Sequence, residues 1–202
     1  MSPLETLGFA LGTSFASGLN LYATVAAAGL FQRLGVVTLP EPLQVLANPI
    51  VLGVALALFL VEFIADKIPW VDSAWDALHT FIRPPAAALL SYSAFAGEGV
   101  PEPWKLAAAL LAGSVALTSH GAKASTRAAV NASPEPVSNW TLSLLEDGIA
   151  VFLAWMAAEH PLLTATIVVV LVIVAVFVIW KLYGYLRLAL AKLKRSPSPA
   201  EP

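Results

Sequence analysis

From Leu162 to Trp180 the chain runs without one ionisable side chain. That is close to the roughly 20 apolar residues that carry a helix across a hydrocarbon layer about 30 Å thick. No soluble fold of ordinary size has an easy place for it, and other stretches approach it in length and character. Charged residues make up 12% of the chain and hydrophobic ones 58%, against about 25% charged in a typical soluble domain. Mean hydropathy is +0.79. The expected fold class is an all-α integral membrane protein with about six transmembrane helices.

Helix boundaries follow from caps and prolines. The first helix is expected over about Glu5–Leu30. Gly8, Gly12, Ser14, Ser17 and Gly18 would let a neighbouring backbone approach closely. A sharper alternative is a break near Gly18-Leu19-Asn20 that lends Asn20 and Tyr22 to a site. A link, Phe31–Asn48, leads to a second helix over about Pro49–Lys67. There Asn48 is the cap and Pro49 the first-turn proline, and Pro69 ends the helix. Asp72 is expected to cap a short interfacial or re-entrant helix, about Ser73–Ile82. Its Trp75, Leu78 and Ile82 share one face, while Asp76, His79 and Arg83 share another. Later helices are expected near Pro84–Ala96, Trp104–Val130, Asn139–Ala158 and Leu162–Lys194. An acidic turn at Gly97–Pro103 and a loop at Asn131–Ser138 separate the first three. One transmembrane domain over residues 1–195 and a disordered cytoplasmic tail over 196–202 complete the organisation.

Lysine and arginine orient the chain. With the C-terminus in the cytoplasm, six crossings put the N-terminus there too. Nine basic residues then fall inside and only Arg33 and Lys105 outside. Met1–Leu7 has no basic residue and makes a poor signal peptide. A net charge of −2 argues against a nucleic-acid partner, and the absence of cysteine removes thiolate chemistry and disulfides.

Ionisable groups at membrane depth are costly and mark function by default. Glu62 and Asp66 are four apart and share a helix face. His120, Lys123 and Arg127 form one stripe, and Glu146 and Asp147 lie about two turns into the fifth helix. The topology gives all three groups one depth, so they can form a single cytoplasm-side cluster. The binding candidates are Glu62, Asp66, His79, Arg83, His120, Lys123, Arg127, Glu146, Asp147, Asn20 and Tyr22. The carboxylates suit protons or a hard cation. The plainer alternative is simple ion pairing with Lys67, Lys123 or Arg127. His79 and His120 could shuttle protons or form hydrogen bonds only, and no spacing specifies a metal. Arg83, Lys123 and Arg127 could hold a phosphate, or simply obey the positive-inside rule. Glu146 and Asp147 are adjacent, about 100° apart on a helix, and cannot face one ligand together.

Ser17–Ala28 can be laid over Ser119–Val130, matching Ser, Thr and two Ala, and the helices that follow each carry an acidic pair. Two inverted three-helix repeats are therefore a candidate architecture. The stretches Ser17–Tyr22, Glu62–His79 with Arg83-Pro84, and His120–Arg127 with Asn131, Ser138-Asn139 and Glu146-Asp147 resemble a family of small bacterial integral membrane proteins carrying only a domain-of-unknown-function label. The resemblance implies a multi-pass protein of the bacterial inner membrane and no activity. The expected function is a transporter or channel for a small solute or ion, working as a homodimer in the bilayer. No cofactor is assigned, though a bound cation fits the acids. The alternatives are a membrane enzyme acting on a lipid or polyprenyl phosphate and a scaffold whose charges only pair. Whether the chain is an enzyme is left open, with the balance against it.

Overall fold

The computed structural model describes residues 1–68, 70–97, 99–131 and 136–195. All regular structure among them is helical. The helices are α1 (Pro3–Leu19), α2 (Leu21–Arg33), a 3-10 helix (Glu41–Ala47), α3 (Pro49–Ala65), α4 (Val71–His79), α5 (Arg83–Ala94), α6 (Glu102–Asn131), α7 (Pro136–Glu159) and α8 (Pro161–Arg195). Pro69, Glu98, residues 132–135 of the expected loop at 131–138 and the expected disordered tail, 196–202, lie outside the described residues.

The expected first helix is two. Asn20 is extended, with φ −150° and ψ 104°, and its side chain accepts from the Ala23 amide to cap α2. An asparagine offers the backbone this local alternative to the helical ladder, which is why the break falls there. Asp72 does not cap α4: the N-cap position is Trp70, with no side-chain bond, and helix geometry begins at Val71. The Asp72 carboxylate is engaged instead by Asn131, from α6. α7 starts earlier than Asn139, with Pro136 in its first turn.

α1 is the central element and packs against α5, α6, α7 and α8. Its glycines make this closeness feasible. A Cβ on Gly12 would stand 2.7 Å from the Ala157 Cβ, and one on Gly18 would stand 1.8 Å from Ser119 Oγ and 2.3 Å from the Ala116 carbonyl oxygen. Phe15, Leu19, Val115, Leu153 and Val168 close one apolar core around α1, and Phe9, Leu39, Leu43 and Ala94 close a second.

Polarity is inverted relative to a protein dissolved in water. Buried residues include Glu62, Asp66, Asp72, Asp76, Arg83, Lys123 and Arg127, whereas Ile50, Phe81 and Leu110 are at least 74% exposed. α4 condenses the pattern. Asp72, Asp76 and His79 face inward, and Val71 and Leu78 face out. Among the described residues, Val137–Glu159 and Pro161–Tyr185 are long and apolar enough to cross a membrane. The 3-10 helix and α3, bent by 67° at Asn48, qualify only as one broken span. α6 is not among these spans, and its His120, Lys123 and Arg127 are all buried.

Candidate functional site

The break at Asn20 creates the site's first ingredient. The last carbonyls of a helix have no partner within it and carry partial negative charge. Two of those ending α1 are taken by cations. Arg83 Nη1 donates to the Gly18 carbonyl at 2.8 Å, and Lys123 Nζ to that of Leu19 at 3.1 Å. Ser119 Oγ donates to the Phe15 carbonyl at 2.9 Å, bolting α6 to the same helix. Asn20 turns its amide nitrogen to Asp147 Oδ1 at 2.8 Å while its oxygen caps α2.

Around this break the three cations meet carboxylates from three helical segments, α3 with its C-cap, α4 and α7. Arg83 Nη2 lies 2.6 Å from Glu62 Oε1 and 3.7 Å from Asp76 Oδ1. Lys123 Nζ lies 2.9 Å from Asp66 Oδ2, 3.5 Å from Glu62 Oε1, 3.7 Å from Glu146 Oε2 and 3.9 Å from Asp76 Oδ1. Arg127 pairs with Asp66 Oδ2 at 3.1 Å and with Glu146, donates to the Asp66 carbonyl at 2.8 Å, and reaches Asn139 Oδ1 at 3.2 Å. Asp72 stands 3.7 Å from Arg127 and accepts from Asn131. Lys67, a candidate neutraliser of these acids, has no described ion pair with them within 4 Å: its Nζ lies over the Phe63 ring and donates to the Phe63 carbonyl and Ser143 Oγ, from where its charge still acts on Asp147 and Asp66.

The histidines have fixed hydrogen-bonding roles. Arg83 Nη1 donates to His120 Nδ1 at 2.8 Å, so that nitrogen is the acceptor. Nε2 then carries the proton and donates to the Asp76 carbonyl, with Thr80 Oγ1 also at 3.0 Å. His120 therefore ties α6 to α4 and to the first residue of α5 as a neutral ring. His79 Nδ1 donates to the Trp75 carbonyl at 2.8 Å, and in the neutral ring Nε2 accepts from the Tyr22 hydroxyl at 3.1 Å. The His79–Tyr22 pair thereby joins α4 to α2.

All eleven sequence candidates thus lie in one connected network or at its edge. Asp72, Asp76, Asn131 and Asn139 belong to it as well and were not among those candidates. For Asp72 and Asp76 the signal was the inward side of a polar helix face; Asn131 and Asn139 stood only in the family resemblance. In a chain with this composition, that face meets protein instead of water.

The charge balance is uneven. Among the described residues Glu62, Asp66, Asp72, Asp76, Glu146 and Asp147 are buried beside three buried cations, Arg83, Lys123 and Arg127, with Lys67 half-buried at the edge. Glu62 Oε2, Asp66 Oδ1, Asp147 Oδ2 and both carboxylate oxygens of Asp76 are buried without a hydrogen-bond partner. Among the described residues no three His, Asp or Glu side chains converge in a way that could hold a metal ion.

Comparison with known proteins gives one match. A family model described as Domain of unknown function (DUF4126) matches residues 7–181. No curated protein and no solved structure matches the chain. The chain belongs to the DUF4126 family.

Proposed function

We propose that this member of the family is a multi-pass protein of the bacterial inner membrane that moves a small solute or ion, and that the buried cluster takes up a proton or cation during that movement. The observation that carries the reading is the surplus of acid. Six carboxylates share the interior with three cations, and Asp76 has no hydrogen bond to either oxygen. Burying a carboxylate without compensation is costly enough that it binds a proton or a cation instead. An interior with unmatched acids is thus a site for reversible charge uptake, with Asp76 and Glu62 the leading carriers and Lys123 the shared switching partner.

The inverted polarity supports lipid as the surrounding solvent. Six crossings follow if α1 with α2, α3, α4 with α5, α6, α7 and α8 each form one, with both termini cytoplasmic. A helix broken at a charged cluster is a recurring device of transporters built from inverted repeats. In keeping with such repeats, α1 and α6 meet where Gly18 faces Ser119, and α1 packs on α8 as α6 packs on α5. We include a homodimer in the proposal because the transmembrane unit is small.

The enzyme reading is weaker. Arg83, Lys123 and Arg127, its phosphate-holding candidates, are occupied by carboxylates and carbonyls. The scaffold reading draws on that same closure, and flux separates it from transport. Purified protein in liposomes under a potassium diffusion potential, with a trapped pH dye, should carry protons. Glu62→Gln and Asp76→Asn should each slow the flux by about tenfold or more, the effect expected when a proton carrier is removed. A wild-type protein that moves no protons, or variants as fast as wild type, would overturn the assignment.

A further inference from the structure

α2 packs against both α3 and α7, while α3 and α7 barely meet each other. A groove therefore runs between them with α2 as its floor. One part, about 490 Å³, is lined by Phe31, Asp147, Gly148, Val151, Phe152 and Trp155. A second part, about 190 Å³, shares Phe31 and Val151 and is bordered by Leu56 and Phe59 of α3. Among the described residues Asp147 is the one ionisable group lining either part.

Asp147 differs from the other acids of the cluster. Asp66 and Glu146 have ion pairs at hydrogen-bond distance. The described bond of Asp147 is the neutral one from Asn20, to Oδ1, and Oδ2 has no hydrogen-bond partner although the residue is only 7% exposed. The next residue is Gly148. A Cβ there would meet nothing within 4 Å, so no packed neighbour requires a glycine. A glycine inside a helix costs about 1 kcal/mol relative to alanine. Its effect at this position is to leave the groove wall bare beside the carboxylate.

We propose that this groove binds a lipophilic organic cation, with the charged centre against Asp147 and the apolar body among Phe31, Phe152 and Trp155. An apolar lining favours an apolar body, and a carboxylate with one neutral hydrogen bond and no described ion pair within 4 Å favours a cation over a neutral or anionic amphiphile. The aromatic faces add cation–π attraction. The inference deepens the transport reading by naming a solute class. It is tested by binding alone, so its failure leaves the proton-flux assay of that reading intact.

Tetraphenylphosphonium and tetraphenylborate have nearly the same shape and opposite charge. Equilibrium dialysis of the detergent-solubilised full chain should show phosphonium binding at least about tenfold tighter than borate, a difference of about 1.4 kcal/mol. Asp147→Asn keeps an acceptor for Asn20 and should abolish that preference. Gly148→Leu fills the groove, leaves the carboxylate in place and lies on an outward position, so it also serves if the first variant fails to fold. It should weaken phosphonium binding by about tenfold or more, the same 1.4 kcal/mol. Equal binding of the two ions would mark the groove as a seat for acyl chains and overturn the proposal. A phosphonium preference that survives Asp147→Asn, or unchanged binding in Gly148→Leu, would overturn it equally.

Discussion

Arg127 shows how much depends on single side chains in this interior. It bridges Asp66, Glu146, Asn139 and a backbone carbonyl while only 1% exposed. Removing one partner of a buried pair strands the other, at a cost of about 3–5 kcal/mol, whereas replacing the whole set by apolar groups can be neutral. Arg127→Met should therefore lower the unfolding free energy in detergent by that amount. Adding Glu146→Gln, which removes the carboxylate most dependent on Arg127 while Asp66 keeps Lys123 at 2.9 Å, should restore part of it, and a double variant less stable than the single one would refute this account. Asn20→Ala removes both a cap, worth about 1 kcal/mol, and the described bond to Asp147. Its melting temperature should fall, with α2 the first helix to lose hydrogen-exchange protection. At this scale the sequence was informative wherever a charge stood within an apolar run, as Glu62 and Lys123 do. It was least informative on α4, where Asp76 looks like an ordinary solvent-facing residue until the surroundings of the helix are known. Asn139 stood out only through the family resemblance, and its role appears only in the fold, where its oxygen accepts from Arg127.

Among the elements, α1 is the one on which the others are assembled, and its glycines can be tested directly. Gly18→Val places carbon where Ser119 Oγ and the Ala116 carbonyl now lie. Overpacking of this kind costs about 1–3 kcal/mol, and more where backbone must shift. Thermal unfolding should show this loss, and Ser119→Gly in the same chain should recover little of it, because the carbonyl at 2.3 Å remains. Full recovery would mean that the hydroxyl alone sets the spacing. The small residues of the first helix were legible as a packing face, and the position of the break was legible as an alternative. The helix propensities of Leu19 and Leu21 could not decide between them. The decision lies in tertiary partners, since Arg83 and Lys123 satisfy the carbonyls that the break releases.

For the whole molecule, the number and direction of crossings are the first quantities to measure, and a chain without cysteine makes this straightforward. Leu34→Cys and Val137→Cys place thiols at exposed positions on opposite sides of the proposed membrane. A membrane-impermeant maleimide should label Leu34→Cys in intact cells and Val137→Cys only after permeabilisation. Labelling of both without permeabilisation would reverse or break the proposed topology. Several helix ends could be read from apolar length and proline position, but the 3-10 helix inside the expected link 31–48 could not, and neither could the arrangement, because nothing local to α6 says which helices its charged stripe will meet. The inward-facing acids of α4 also constrain how the protein can be made. Asp66 and Arg127 are 61 residues apart, a separation that takes a ribosome several seconds at about 5–20 residues per second. Until α6 emerges, α3 and α4 must wait with their acids unmatched, outside the hydrocarbon or screened by the insertion machinery. A ribosome stalled while Lys123 and Arg127 are still inside its exit tunnel should then leave α4 open to proteolysis, and one stalled after both have emerged should not.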